Sequence, residues 1–289
     1  MKDNRFIGFL IIIITYILAV AVGIAVYQML PESMSVLFRV FIADVAATVL
    51  VYISGLLLNN ASMYDPYWSV APLVILPLLT GQFQNDKPGV ILLLIAIFYW
   101  GIRLTTNWAT TFSNLRKQDW RYDMLKEKSK KAYQLVNFFG INMFPTLIVF
   151  FSLIPAIYYI QEGSINWVTV FGFIVCLVAT TLQLISDIQM HRFRKENKDK
   201  SKIINIGLWK YSRHPNYLGE IAMWWGIYIM MASTIPDKWY LCIGAVLNTL
   251  MFLFISIPMA ENRLAQYKAN FNQYKEQTRM LFPFKKKPQ

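Results

Sequence analysis

FIGFLIIIITYILAVAVGIAVYQML, residues 6–30, runs for 25 positions without a carboxylate, a lysine or an arginine. About 20 residues of helix cross the hydrocarbon core of a bilayer, so a run of this length reads as a membrane span. Its apolar residues are continuous rather than alternating, which excludes a barrel strand. With no water in lipid to satisfy the backbone, the remaining choice is a helix. The run is about twice the length of a signal-peptide core. Ala19-Val20-Ala21 resembles a cleavage site but lies in mid-run, so the segment reads as a retained span.

The same pattern recurs outward from that stretch. Apolar segments cover 6–30, 34–58, 68–84, 89–112, 134–160, 165–188, 215–233 and 239–259. The third is the shortest and carries Pro72 and Pro77, so it is expected to kink or to cross only in part. With 56% hydrophobic residues, the 289-residue chain exceeds what a soluble domain carries. The fold expected is all-α: a polytopic integral membrane bundle of about seven to eight transmembrane helices, forming one transmembrane domain over 1–289. Residues 1–60 read as an N-terminal helical extension, 61–284 as the core and 285–289 as a basic tail.

Charge gives the orientation. If the N-terminus is cytoplasmic and all eight segments cross, only Arg39, Lys87 and Lys238 of the 28 Lys and Arg fall on or near the outer side. That is a strong positive-inside pattern, with both termini in the cytoplasm. The net charge of +12 then follows from topology and attraction to anionic lipid, and implies no nucleic-acid partner. No obligatory protein partner is signalled. The expected site is a multi-pass protein of a bacterial inner membrane. Cys176 and Cys242 lie inside apolar runs and predict no disulfide. With His191 and His214 the only histidines and no Cys-x-x-Cys, no metal site is expected. No Gly-x-Gly-x-x-Gly or P-loop signals a soluble nucleotide domain.

Ionisable groups in or near spans are costly and are functional candidates by default. Arg39 and Asp44, five apart, read as a structural pair or an interfacial snorkel. Arg103 near the inner end of the fourth segment also reads as a snorkel. Asp65-Pro66-Tyr67-Trp68 reads either as a helix cap with an aromatic belt or as part of a site. If the sixth helix continues past Ser186, then Asp187, His191 and Arg194 at i, i+4 and i+7 share one face. A carboxylate would then sit at the membrane surface with a guanidinium above it.

The densest constellation is Gly207 to Glu220. Pro215 marks a helix start whose positive end lies beside Lys210, Tyr211, Arg213 and His214, a natural anion site. Asn216 and Glu220 are one turn apart, with Glu220 about a turn inside the membrane, where a lone carboxylate is expensive. Beyond the last span stand Glu261, Asn262 and Arg263. Tyr267, Phe271 and Tyr274 then recur at i, i+4 and i+7, an aromatic face that either lies on the bilayer or caps the opening of the site.

These residues resemble the DUF1295 group of the steroid 5α-reductase-like superfamily, from about residue 60 to residue 284. The markers are Asp65-Pro66-Tyr67-Trp68-Ser69-Val70, Trp100-Gly101-Ile102-Arg103-Leu104, Asp119-Trp120-Arg121-Tyr122, Ser186-Asp187 with Arg194, Gly207 to Glu220, and Tyr267-x6-Tyr274 ending in Leu281-Phe282-Pro283-Phe284. The resemblance implies an NADPH-dependent membrane reductase that delivers hydride to a double bond conjugated to a carbonyl in a lipid, steroid-like or isoprenoid. It implies a cofactor pocket lined by Asp187, Arg194, Asn216, Tyr217, Glu220 and Tyr267. Lys195, Tyr211, Arg213, His214 and Arg263 join them as candidate cofactor-binding residues. The reductases polarise the carbonyl with a Gln-Glu pair and a Tyr. This chain lacks the Gln-Glu, and Asp65 with Tyr67 is the nearest substitute, with Tyr99 or Trp100 as the counterpart of the Tyr. The catalytic candidates are therefore Asp65, Tyr67, Tyr99 and Glu220. An Asn expected before Asp187 is Gln183, and an Arg expected near 259 is Met259.

Two other classes compete. Arg213-His214-Pro215-Asn216-Tyr217-Leu218-Gly219 also resembles the core of isoprenylcysteine-type methyltransferases, which use S-adenosylmethionine and carry a Glu-Glu pair where this chain has Glu261-Asn262. A non-enzymatic lipid-binding or transport protein is the third reading, and it would not need Asp187, Asn216 and Glu220 at one depth.

Overall fold

A computed structural model describes residues 2–283; the expected tail 285–289 lies outside them. The described chain is helical, without a strand, and carries one isolated bridge between Ser212 and Arg279. Its helices are α1 (Arg5–Met29), α2 (Val36–Leu58), α3 (Tyr67–Phe83), α4 (Pro88–Thr111), α5 (Trp120–Ser129), α6 (Tyr133–Val136), α7 (Phe144–Glu162), α8 (Trp167–Glu196), α9 (Pro215–Ala232), α10 (Ile243–Met251), α11 (Ile257–Tyr267) and α12 (Phe271–Gln277). Six continuous helical stretches among the described residues are long and apolar enough to cross a membrane: Arg5–Met29, Val36–Leu58, Pro88–Thr111, Trp120–Glu162, Trp167–Glu196 and Pro236–Tyr267. The other two apolar segments became α3, with 17 residues, and α9, with 18. The protein is a multi-pass helical membrane protein.

Polar residues set several helix starts. Asn4 accepts from the Ile7 amide and Ser35 from the Phe38 amide. Asn166 and Thr169 form a reciprocal capping box at α8. Prolines reshape two helices. A π-helical turn covers Asn137–Met143 ahead of Pro145, and another covers Phe252–Ser256 ahead of Pro258. Proline lacks an N–H and its ring clashes with the carbonyl four residues back, so the preceding turn widens.

Two compact units emerge, and the chain passes between them just ahead of α4, within α4 and at the last residue of α7. The first holds the chain up to Asp86 and Trp100–Gln161. Here α1 and α2 lie antiparallel: Lys2 Nζ donates to the Leu58 carbonyl at one end, and Gly23 faces Ala43 and Ala47 toward the other. Asn59, left-handed at φ 49°, ends α2 as an asparagine can. Asn60 to Tyr64 are all buried, a connection tucked back among the helices, where Tyr16 Oη donates to the Met63 carbonyl. Ile12, Ala19, Ala47, Val51, Met63, Tyr64, Tyr67 and Leu115 form its core.

The second unit holds Lys87–Tyr99 and the chain from Glu162 onward. Its centre is the α8–α9 pair. Gly172, Cys176, Ala179, Gln183 and Ser186 line one helix, and Gly219, Met223, Gly226 and Met230 the other, at alternating three- and four-residue steps. Small residues let the backbones approach. A Cβ on Gly226 would sit 2.5 Å from Cys176 Sγ, and one on Gly172 2.9 Å from the Gly226 carbonyl oxygen.

Candidate functional site

In the second unit, α8 runs unbroken to Glu196. Asp187, His191 and Arg194 therefore do share one helical face, with Asp187 half-buried and Arg194 and Lys195 exposed. On α9, Asn216 is half-buried and Glu220 is 4% exposed, accepting from Trp224 Nε1 at 3.0 Å. Tyr99 belongs to this unit, and its hydroxyl meets Thr181 Oγ1 at 3.1 Å.

Much of the Gly207–Glu220 stretch is architecture. Gly207 has φ +55°, and a Cβ there would strike the Gln189 side chain. Gln189 Oε1 accepts from the Leu208 amide, and Trp209 Nε1 donates to the Ser186 carbonyl, anchoring the turn on α8. A Cβ on Gly219 would lie 2.4 Å from Gln183 Cγ.

Arg213 and His214 differ most from expectation. Rather than facing an anionic ligand, both are buried and engage a carboxylate of the chain. Arg213 Nε donates to Glu261 Oε1 at 2.8 Å, and its Nη1 donates to the Thr278 and Lys275 carbonyls at 2.5 and 3.1 Å. His214 Nε2 lies 3.1 Å from the same Glu261 oxygen, and Lys275 Nζ lies 3.1 Å from the other. Burial pushes the His214 pKa down, and Glu261 works against that shift. The physical reason is that a buried carboxylate within α11 needs cations, and these are nearest. Glu261 is noted in the sequence but not placed among the site candidates, and Lys275 is not singled out; a glutamate just past an apolar run is the signal for the first. Tyr217 stacks on the His214 ring at 5.2 Å, and Tyr211 stays exposed.

The aromatic face over Tyr267, Phe271 and Tyr274 does not form. The helix breaks at Lys268, whose backbone is extended and whose Nζ donates to the Lys200 and Lys202 carbonyls. Tyr267 is left 45% exposed, with Arg263 also exposed, while Phe271 and Tyr274 are buried. Residues 271–281 instead strap the start of α9: the Arg213 and His214 amides donate to the Arg279 and Met280 carbonyls, and Tyr274 Oη donates to the Trp209 carbonyl.

The first unit holds the other candidates. Asp65 does not cap α3, which starts behind Pro66 with no side-chain cap. It accepts from Tyr122 Oη at 2.5 Å, tying the Asp65-Pro66 turn to the Asp119-Trp120-Arg121-Tyr122 turn. Ser62 and Asn60 reinforce that joint through the Asp119 amide and the Leu115 and Lys117 carbonyls. Burial raises the Asp65 pKa to about 6, with Tyr122 opposing the rise. Tyr67 Oη donates to Asp44 Oδ1 at 2.9 Å. Arg39 is not the partner of Asp44; its guanidinium donates to the Tyr27 carbonyl and lies over the Tyr27 ring. Trp100 is buried against Trp68.

A family model described as a protein of unknown function (DUF1295) matches residues 51–278. The chain belongs to the DUF1295 family. The match spans every marker from Asp65 to Tyr274 and leaves α1 and most of α2 ahead of it. No curated protein and no solved structure matches this DUF1295 chain.

Proposed function

We infer that this DUF1295 protein is a membrane-embedded NADPH-dependent reductase that saturates a double bond conjugated to a carbonyl in a lipid, steroid-like or isoprenoid. The observation that carries the reading is the unbroken α8. It sets Arg194 about 10 Å along one helical face from the half-buried Asp187, while Asn216 and the buried Glu220 stand at the start of α9, the helix that packs on α8. A guanidinium suits a phosphate, and a carboxylate deeper down suits a hydroxyl or an amide. That donor set fits an extended dinucleotide phosphate, and the exposed Lys195, Tyr211, Tyr267 and Arg263 are further candidates to meet it. Arg213 and His214 act through Glu261, holding the strap in place. NADPH, when bound, supplies the hydride. The candidates for the group that donates the proton or polarises the carbonyl are Tyr67 and Asp65 in the first unit and Tyr99 in the second, and such a donor is most effective where water is scarce. The positive-inside pattern points to both termini and the cofactor side facing the cytoplasm of a bacterial inner membrane, with the lipid entering from the bilayer.

The purified protein in detergent should bind NADPH, and Arg194→Ala should weaken NADPH more than NADH if that guanidinium meets the 2′-phosphate. Equal loss for both would remove the assignment. One observation favours a second reading, the methyltransferase: Glu261, just past the last span, is bonded to the Arg213-His214 core that those enzymes share. Binding of S-adenosylmethionine without NADPH would select it.

A further inference from the structure

A string of buried hydroxyls crosses the first unit and ends on a carboxylate. Tyr64 Oη lies 2.7 Å from Thr146 Oγ1, and Thr146 Oγ1 lies 3.1 Å from Thr48 Oγ1. The Thr48 hydroxyl in turn interacts with Tyr67, whose hydroxyl donates to Asp44 Oδ1 at 2.9 Å. All five side chains are at most 6% exposed. They come from α2, the tucked connection, the start of α3 and α7, so the fold gathers them from four places. Each hydroxyl has one proton to give and lone pairs to receive another. Read from Tyr64, each hydroxyl has the next within reach, with Thr146 turning its one proton between the Asn142 carbonyl and Thr48, and the last acceptor is the carboxylate.

The turn that carries Tyr64 begins at a polar recess. Asn60, Ala61, Gln118, Lys126, Tyr133 and Asn137 line it, with a cavity volume of about 20 Å³, room for one water. Asn142 Nδ2 donates to the Asn137 side-chain and backbone oxygens, and the Asn142 carbonyl accepts from Thr146. The π turn ahead of Pro145 is what sets Asn137 and Asn142 five residues apart on one face. Helix-to-helix adhesion alone would be served by the hydroxyls. It has no use for a buried carboxylate whose one hydrogen-bond donor among the described residues is a tyrosine. Asp44 and Thr48 also lie ahead of the family match.

We propose that Tyr64, Thr146, Thr48 and Tyr67 are a proton relay between the Asn60–Asn137 recess and Asp44. A proton entering at the recess moves by successive exchange, each oxygen losing one proton and gaining one, and no atom other than hydrogen changes partner. On the reductase reading, each hydride added to carbon requires one such proton, and the relay resupplies Tyr67. The relay itself stands or falls independently of that reading.

Hydrogen–deuterium exchange of the Asp44 carboxyl tests it without substrate. Infrared spectra of the detergent-solubilised protein in mildly acidic buffer should show a protonated-carboxyl band that Asp44→Asn removes. On transfer to deuterium oxide the band should shift rapidly in the native protein. It should shift about a hundredfold more slowly in Thr146→Val, the lower end of what a positioned proton-transfer group contributes. Thr146→Ser should restore the fast shift. Thr48→Val gives an independent break if Thr146→Val does not fold. An unchanged rate in a folded Val variant, or no band lost in Asp44→Asn, overturns the relay. A slowed band in a protein that never oxidises NADPH keeps the relay and removes the reductase.

Discussion

Replacing Gly219 with alanine should force α8 and α9 apart, and Gly81→Ala supplies the matched control. The new Cβ at 219 would lie 2.4 Å from Gln183 Cγ and 2.5 Å from the Ala179 carbonyl oxygen, whereas ordinary contact begins near 3.4 Å. The Gln183 side chain can swing aside; the Ala179 carbonyl belongs to helix backbone and cannot. The helices must separate by about 1 Å along a seam that also holds the Gly172–Gly226 approach. Overpacking of this kind costs about 1–3 kcal/mol, and a backbone obstacle places it in the upper half of that range. At Gly81, also helical, a Cβ meets nothing within 4 Å. There, removing glycine's excess freedom should stabilise by about 0.5–1 kcal/mol. The two variants should differ by about 3 kcal/mol, or roughly 6 °C in unfolding midpoint for a chain of this size. Thermal unfolding in one detergent, followed by tryptophan fluorescence, measures the difference. Equal midpoints would refute the close α8–α9 contact.

Glu261→Ala should leave Arg213 buried without its counter-ion and release the 271–281 strap. Breaking a buried pair by removing one partner costs about 3–5 kcal/mol, and proteolysis near Lys275 should accelerate; an unchanged cleavage pattern would count against the strap. Asp65 gives a pH signature. Its folded pKa of about 6 lies above the 3.8 of the free side chain, so its contribution is full below about 3.8 and is lost as pH rises through about 6. Stability should therefore decline across that window by about 2 kcal/mol, allowing for a half-buried carboxyl. Asp65→Asn should flatten the decline, and a native profile already flat there would show that the Asp65 carboxyl is not buried as the structure has it.

The apolar runs made the helical class legible because lipid tolerates one backbone solution, and length alone identifies it. α8 could be followed past its apolar part because nothing between Ser186 and Glu196 breaks a helix. The site was less legible, for a chemical reason. In sequence, Arg213 and His214 read as part of an anion site at a helix start, and Asp65 as a helix cap or part of a site. Their partners are Glu261 and Tyr122, at separations of 48 and 57 residues for Arg213 and Asp65, which no spacing rule joins. Asp44 drew attention to Arg39, its neighbour in sequence, while its partner Tyr67 lay across a turn. The aromatic spacing at Tyr267, Phe271 and Tyr274 suggested one face, but Lys268 found carbonyls to bind and bent the chain between them.

The π turn at Phe252–Ser256 changes the phase of everything after it. One residue beyond the regular repeat rotates the following helix by about 100°. Glu261 reaches Arg213 from that rotated setting. A heptad or helical-wheel count carried through the last span from its outer end would aim this carboxylate about a quarter-turn away, toward a different neighbour. The proline at 258 thus acts as a rotational offset. It lets an apolar span keep its lipid-facing stripe on one side of the bulge and present a charge in another direction on the other.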